Sequence, residues 1–169
     1  MQRVFLVEEL PAWHSNRLKR LVKFPKLHLG DTGLASALLR VDAEALDADR
    51  QLLGQLTETF VFQELRRQAS WCEDPLSFFH FRDKDGVEVD LVIERGPRAV
   101  AGVEVKASAT VRAADFSGIR KLKAAAGRNF AGGVVLYDGE IRRRAVRRAD
   151  PVALGSGVTP GAAGRLARA

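Results

Sequence analysis

The sequence predicts an α/β fold, with helices packed on a short run of strands. Residues 76 to 108 contain three stretches in which apolar and polar residues alternate, which is typical of half-buried strands. Residues 42 to 69 repeat apolar residues at intervals of three and four, which is typical of an amphipathic helix. A second helical pattern and a fourth, largely apolar stretch follow the three strands. Together these patterns favour helices lying against a sheet.

The first part of the chain predicts two short strands and a short helix. Apolar and polar residues alternate near the start, break at Pro11, and alternate again from Val22 to Leu29. Asp31 is a good N-cap residue, and the leucines that follow it share one face of a helix over residues 32 to 40. We therefore expect two strands around a loop, followed by this helix.

Residues 42 to 69 give the strongest helical prediction, as one continuous helix. One stripe of this helix is apolar, and charged residues alternate around it. The stripe consists of Leu52, Leu53, Leu56, Phe60 and Leu65. We expect this stripe to be buried against the rest of the domain.

Four strands and one helix are predicted after this long helix. The strands span residues 76–83, 87–94, 99–108 and 131–139. The first three form a meander, and Lys84 to Gly86 is a hairpin turn in which glycine supplies the positive φ. Residues 113 to 126 predict a helix that faces the sheet through Phe116, Ile119 and Leu122. The fourth strand is expected to be buried.

The composition is that of an ordinary globular chain, with a charge that favours an anionic partner. The 169 residues fit one domain, and the net charge of +6 raises the local concentration of polyanions. Much of the excess lies from Arg142 to Arg148, around a basic strand or turn at Ile141 to Val146, and such a patch is more commonly solvated than a binding site. From Asp150 onward we expect a loose tail, because the segment is mainly Gly, Ala, Pro and Arg without periodicity and cannot bury enough apolar area to offset its ordering entropy.

Simple counts exclude several classes of protein. The single Cys72 cannot form an intramolecular disulfide or a thiolate zinc site. No apolar run reaches the roughly 18 to 20 residues that cross a bilayer, and the N-terminus has no signal-type pattern. No glycine-rich loop precedes a Lys-Ser or Lys-Thr pair, so we expect no ATPase activity from this chain alone. The sequence thus predicts a soluble, cytoplasmic protein without a membrane partner.

Charged residues interrupt two of the predicted strands. In a strand, side chains two apart share a face, so Glu104 and Lys106 point together while Val103 and Val105 point into a core. Such a pair alone is more commonly an exposed ion pair that contributes under about 1 kcal/mol. The preceding strand adds to it, because Asp90 is expected beside Glu104 if the two strands are antiparallel neighbours.

The preceding strand is predicted to carry its acidic residues on one face. Glu88 and Asp90 are two apart and share that face. The opposite, apolar face is predicted to carry Val89, Leu91 and Ile93.

A divalent cation would explain these charges. Crowded carboxylates raise each other's pKa unless a cation lies between them. Mg²⁺ prefers oxygen ligands and often takes one or two carboxylates, with water and phosphate oxygens in its other positions. We therefore expect Asp90 and Glu104 to bind Mg²⁺, with Lys106 orienting water or stabilising negative charge during phosphodiester hydrolysis.

The same residues resemble a known nuclease superfamily. Asp90, followed after thirteen residues by Glu104-Val105-Lys106, between a helix that bears Glu58 and a second helix, resembles the PD-(D/E)XK nucleases. The stretches "PKLHLGDTGLASALL", "GQLTETFVFQEL", "FHFRDKDGVEVDLVIE" and "GVEVKAS" look like a domain of unknown function that follows an AAA+-type P-loop ATPase module in many prokaryotic proteins. The resemblance covers residues 4 to 138.

The resemblance implies a restriction-endonuclease-like fold, a central mixed sheet flanked by helices. It puts Asp90, Glu104 and Lys106 at the catalytic motif positions, with Glu58 as the helical acidic residue. Arg82 falls on the family's basic position before the acidic strand.

The resemblance also implies that an ATPase module precedes this domain, in cis or in trans. Residues 1–40 would then be the end of an upstream linker with its strands and helix. Residues 41–149 would be the nuclease-like core, and residues 150–169 a flexible tail.

Several residues keep a structural alternative. Glu64 competes with Glu58 as the helical acidic residue, and Arg82 can pair instead with Asp83 or Asp85. The histidines lack metal-ligand spacing and the tryptophans lie at the ends of elements, so we interpret all of them as structural. These residues are Trp13, His14, His28, Trp71 and His80. An exposed tryptophan near a basic groove could alternatively stack on bases.

The favoured function is Mg²⁺-dependent hydrolysis of nucleic acid. The residues expected to hold the nucleic-acid backbone are Arg82, Arg120, Lys121, Lys123, Arg142 and Arg143. Two alternatives stay open. One is a non-catalytic regulatory module of an ATPase that binds DNA or protein and keeps idle acidic residues. The other is a remnant of a toxin–antitoxin-like or mobile element that has lost its motor.

Overall fold

The structure is a computed structural model that describes residues 6–97 and 99–139. The strands are β1 (Val7–Leu10), β2 (Lys26–Leu29), β3 (Leu76–Arg82), β4 (Glu88–Arg95), β5 (Ala99–Lys106) and β6 (Phe130–Tyr137). The helices are α1 (Thr32–Leu39), α2 (Ala43–Ala48), α3 (Arg50–Ala69) and α4 (Ser117–Ala126). Short 3₁₀ helices span Arg17–Val22, Ala113–Phe116 and Gly127–Asn129. The predicted strand or turn at residues 141–146 and the predicted tail lie outside the described residues.

A four-stranded mixed sheet forms the centre of the described fold. Its order is β3-β4-β5-β6, with β3, β4 and β5 antiparallel and β6 parallel to β5. The parallel pair requires a crossover, which α4 supplies. The predicted meander, the hairpin turn with Gly86 at φ 80°, and the fourth strand are therefore confirmed. A separate two-stranded antiparallel sheet joins β1 to β2, as the N-terminal pattern predicts.

Two apolar layers cover the opposite faces of the four-stranded sheet. On one face, Phe62 of α3 packs with Leu91, Val103 and Val105, and Leu10 of β1 joins this layer. On the other face, α4 packs through two buried residues, Ile119 and Leu122. Helices thus flank the sheet on both sides, which confirms the mixed α/β class. Burial of these side chains stabilises the fold at roughly 25 cal/mol per Å² of apolar surface.

The predicted long helix is wrong in its continuity and in part of its buried stripe. The chain leaves the helical conformation at Asp49, which has φ −103° and ψ 82°. The Asp49 carboxylate then caps α3 by accepting hydrogen bonds from the Gln51 and Leu52 amides. Along α3, Thr59 and Phe62 are buried, whereas Phe60 is 53% exposed. The sheet therefore selects a different face of the helix from the one that leucine spacing favours.

The remaining N-terminal predictions have mixed outcomes. Asp31 caps α1 by accepting from the Leu34 amide, as predicted. Residues 17 to 22 form a 3₁₀ helix that the alternating pattern did not indicate. Trp13 is buried, as expected of a packing residue, but Trp71 is 80% exposed, so the packing role predicted for it is wrong. Trp71 follows the C-cap residue of α3. No helix in the described ranges is both long and apolar enough to cross a bilayer.

Candidate functional site

The end of β5 carries the charged pair that the sequence indicated. Val103 and Val105 pack in the α3 layer, so Glu104 and Lys106 alternate away from it. Lys106 Nζ donates to Glu104 Oε1 over 2.7 Å. Glu104 is 8% exposed, which is unusual for a carboxylate on a strand. The pair is therefore partly desolvated rather than a free surface ion pair.

A β-bulge near the start of β4 places Asp90 beside β5. Phe81 pairs with Val89 and Phe79 with Val92, so two residues of β4 oppose one residue of β3. Val89 consequently packs on the α4 face while Leu91 packs on the α3 face. The prediction that these two residues share a face is wrong, because a regular alternation cannot include the bulge.

Both oxygens of the Asp90 carboxylate contact a neighbouring residue. Oδ2 accepts a hydrogen bond of 2.8 Å from the Val105 amide of β5. Oδ1 lies 3.6 Å from the ammonium of Lys26. Asp90 thus joins the end of β5 to a residue of β2.

Lys26 is the residue of this cluster that sequence reasoning missed. Its Nζ lies 2.9 Å from Glu58 Oε1, 3.5 Å from Glu88 Oε2 and 3.6 Å from Asp90 Oδ1. Burial opposes its charge, but the Glu58 carboxylate and then those of Asp90 and Glu88 outweigh it and raise the pKa of Lys26. The available signal was the period of β2, because Lys26 and His28 share one face of that strand just as Glu104 and Lys106 share one face of β5.

Glu58, rather than Glu64, lies in this cluster. Glu58 sits on the part of α3 that faces β2, next to the buried Thr59. Glu64, six residues later, instead accepts from Gln68 over 2.9 Å and pairs with Arg67. The structure therefore separates the two acidic candidates.

His28 fills the space between β2 and α3. Its Nδ1 lies 3.1 Å from the Thr59 hydroxyl and its Nε2 lies 3.9 Å from Glu58 Oε1. Burial, followed by the charge of Lys26, lowers the pKa of His28 to about 4, so the imidazole is neutral near pH 7. His14 and His80 also have lowered pKa values, with burial as the first cause.

The electrostatics of the cluster favour the addition of positive charge. Burial, and then the charge of Asp90, raises the pKa of Glu104 to about 7 despite the neighbouring Lys106. Burial, and then Glu58, raises the pKa of Asp90. Four buried side-chain atoms of the described residues have no hydrogen-bond partner: Glu104 Oε2 and His28 Nε2 in this cluster, and His80 Nδ1 and Tyr137 Oη elsewhere. A buried carboxylate oxygen without a partner is costly, and a cation would satisfy it.

A hard cation that takes few protein ligands is the kind of ion that these carboxylates could hold. Within residues 6–97 and 99–139, no group of three or more His, Cys, Asp or Glu is arranged so that it could hold a metal ion. Mg²⁺ needs only one or two carboxylates, because water and phosphate oxygens complete its shell. Asp90 and Glu104 could supply those two ligands.

Comparison with known proteins assigns the chain to a family. A family model described as Domain of unknown function (DUF4143) matches residues 53–154, which is more than half of the chain. The chain belongs to this family. A second model, Domain of unknown function (DUF8612), matches residues 1–45. No solved structure matches the chain.

Two curated relatives are similar to this DUF4143 chain. They are uncharacterized proteins from Mycobacterium bovis and Mycobacterium tuberculosis, each 32% identical over 105 residues. The match covers 62% of this chain but 23% of each relative, so the chain spans less than a quarter of their length.

The cluster draws on both matched segments. Glu58, Asp90, Glu104 and Lys106 lie in the DUF4143 segment, whereas Lys26 lies in the segment that the second model matches. The site as folded is therefore shared between the N-terminal strands and the main sheet.

Two of the predicted nucleic-acid-binding residues of this DUF4143 chain form ion pairs near the β3–β4 turn. Arg82 forms an ion pair with Glu88 at 3.1 Å, whereas Lys121 forms ion pairs with Asp83 and Asp85 at the β3–β4 turn. The alternative pairing of Arg82 with those aspartates is therefore wrong.

Two further predicted basic residues, Arg120 and Lys123, lie on α4 together with Lys121. Arg120 donates to the Ala113 carbonyl over 2.9 Å, and Lys123 is exposed on α4. Arg142 and Arg143 lie outside the described residues. Their contact with nucleic acid stays a prediction.

Proposed function

We propose that this domain is a nuclease-like module that hydrolyses phosphodiester bonds of nucleic acid with the help of Mg²⁺. The observation that carries the proposal is the buried Glu104 carboxylate, which has one oxygen on Lys106 and the other without a partner in the described structure, beside Asp90. A carboxylate that needs a cation, next to a second carboxylate and a lysine, is the minimal set for this chemistry.

The chain's own residues would divide the work. Asp90 and Glu104 would hold the ion, and the Val105 amide would fix Asp90 in place through its 2.8 Å hydrogen bond. Lys106 would remain against Glu104 and stabilise negative charge that develops on the phosphate. Bound Mg²⁺ would polarise the phosphate and lower the pKa of a water molecule.

The topology is consistent with a restriction-endonuclease-like fold. Three antiparallel strands and a parallel fourth strand form the sheet, with α3 on one face and the crossover helix α4 on the other. The acidic residues lie at the start of β4 and the end of β5, which are adjacent because the strands are antiparallel. The fold alone does not decide the activity, so the proposal depends on the site.

We further propose that the module works together with an ATPase module, in cis or in trans. The support is the sequence resemblance together with the greater length of the mycobacterial relatives, of which this chain matches 23%. That length leaves room for a further module in those proteins.

A cleavage assay with matched carboxylate variants tests the nuclease proposal. Supercoiled plasmid, single-stranded DNA and RNA would be incubated with Mg²⁺ or Mn²⁺ and the wild type, Asp90→Asn, Glu104→Gln or Glu64→Gln. Loss of an outer partner of a metal ligand costs 10- to 100-fold, so loss of either ligand should lower cleavage by at least about 100-fold. Glu64 lies on α3 outside the cluster and pairs with Arg67, so Glu64→Gln should cleave as the wild type does. Unchanged cleavage by Asp90→Asn would reject the mechanism.

A non-catalytic protein-binding module is the second candidate, and one surface favours it. The segment around the Arg17–Val22 helix exposes Leu18, Leu21, Val22 and Phe24 by 76%, 82%, 81% and 92%. Exposed apolar residues so close together commonly mark a protein contact. Binding of DNA or a partner without Mg²⁺, unchanged by Asp90→Asn and accompanied by no cleavage, would favour this candidate.

A further inference from the structure

Lys26 occupies the centre of the acidic cluster. An ammonium group carries three donors, and three carboxylates from α3 and β4 surround the Lys26 ammonium at 2.9, 3.5 and 3.6 Å. The side chains of Lys26, Glu58 and Asp90 are 24%, 20% and 15% exposed, so these contacts are shielded from water. Shielded charges interact more strongly than exposed ones.

Lys26 also decides the charge that an incoming cation would meet. With every group ionised, the cluster contains four carboxylates, those of Glu58, Glu88, Asp90 and Glu104. Lys26, Lys106 and Arg82 contribute three positive charges, which leaves a net charge of −1. Without Lys26 the net charge would be −2, the charge that a divalent cation neutralises.

Lys26 does not belong to the four-stranded sheet that carries Asp90 and Glu104. It lies on β2, which pairs with β1, while the carboxylates belong to α3, β4 and β5. A lysine side chain is a flexible four-carbon stem, so its ammonium can leave without any change in the backbone of β4 or β5. The carboxylates would then be available with their positions unchanged.

We propose that the Lys26 ammonium is a built-in competitor for the divalent cation, so that the metal enters the site when Lys26 leaves. This inference rests on the proposed function, because it concerns the same metal site. It adds a residue that sets metal affinity without being a ligand, and it makes the N-terminal strand β2 a control element of the site.

Metal titration of three proteins tests the inference. Mn²⁺ binding would be measured by calorimetry near neutral pH for the wild type, Lys26→Met and Lys19→Met. Methionine keeps the length of the stem and removes the charge. Lys19 is the matched control, because it is a lysine of the same N-terminal segment that forms no ion pair in the described part of the chain. Lys26→Met should bind Mn²⁺ at least about 10-fold more tightly than the wild type, and Lys19→Met should not differ from it.

The outcomes separate the two proposals. Equal or weaker affinity in folded Lys26→Met overturns the competition by Lys26 but leaves the metal site. The absence of binding to every protein rejects the metal site and, with it, both proposals.

A measurement on the wild type covers the case in which Lys26→Met does not fold. The Nζ resonance of Lys26, observed by ¹⁵N NMR, should move toward the position of exposed lysines as Mg²⁺ is added, while Lys19 stays constant. A Lys26 resonance that is unchanged at saturating Mg²⁺ overturns the inference.

Discussion

Two buried glutamates on neighbouring strands of one sheet differ in how their charges are compensated. Glu94, near the end of β4, accepts from Trp13 Nε1 and Arg20 through Oε2 and from Arg17 through Oε1. Glu104, near the end of β5, contacts Lys106 through one oxygen, and its other oxygen has no partner in the described residues. Their exposures are nearly equal, at 7% and 8%. By exposure to solvent the two carboxylates are alike, whereas their partners differ.

The pKa values move in opposite directions as a result. Burial alone would raise the pKa of Glu94, but hydrogen bonds from Arg20 and Trp13 and the arginine charges outweigh it and lower that pKa. Burial and the charge of Asp90 instead raise the pKa of Glu104 to about 7. A buried carboxylate whose two oxygens both have hydrogen-bond partners supports the fold. A buried carboxylate with an oxygen that has no partner is typical of a site that binds a ligand.

The largest expected effect is the loss of charge at Glu94. Glu94→Gln should lower the free energy of unfolding by about 2–3 kcal/mol, because Arg20 would be left with a buried, uncompensated charge. Urea unfolding at neutral pH measures this change, with Glu9→Gln as an exposed control that should lie within about 0.5 kcal/mol of the wild type. A loss below about 1 kcal/mol would mean that Glu94 is not the anchor of the Trp13 region.

The second prediction is a pH dependence that separates the two residues. The pKa of Glu94 is lowered on folding, so its stabilising contribution is present above its unfolded value of 4.5 and is lost as the pH falls through the lower folded value. The pKa of Glu104 is raised, so metal-free protein should lose stability as the pH rises from 4.5 to about 7.

Variants assign each pH window to its residue. Thermal unfolding would be measured across pH. Glu94→Gln should reduce the fall in unfolding temperature at acid pH, and Glu104→Gln should reduce its change between pH 4.5 and about 7. Identical profiles for wild type and Glu104→Gln would show that Glu104 carries no unfavourable charge.

The third prediction concerns stability at Glu104 itself. At a pH above its folded pKa, Glu104→Gln in metal-free protein should be as stable as the wild type or up to about 1 kcal/mol more stable, because an unfavourable charge is removed. The same substitution should abolish Mn²⁺ binding. A clear loss of stability, similar to that of Glu94→Gln, would place Glu104 among structural carboxylates.

The sequence could predict the meander of the first three strands of the main sheet and the charged pair on β5, because both follow from local periods. Glu104 and Lys106 alternate with Val103 and Val105, and the antiparallel meander brings Asp90 to the same edge. Such features need only the period of a strand and a tight turn.

The contacts of Lys26 and Glu94 could not be predicted in the same way. Lys26 meets Glu58 and Asp90 across 32 and 64 residues of chain, and Glu94 meets Arg20 across 74. These partners depend on how the N-terminal strands dock on the sheet, which no local pattern specifies. The bulge at Asp90 is also invisible to a period of two, because it adds a residue where the sequence shows regular alternation.

The smallest expected effect distinguishes the two arginines at Glu94. The side chain of Arg17 is 64% exposed, whereas that of Arg20 is 13% exposed. Arg17→Met should therefore cost about 0.5 kcal/mol or less, since exposed ion pairs are weak. Urea unfolding against Arg20→Met provides the matched comparison, and Arg20→Met should cost clearly more because Arg20 also stacks on Trp13 and Phe79. Equal losses would mean that total charge near Glu94, rather than its buried partners, distinguishes this carboxylate from Glu104.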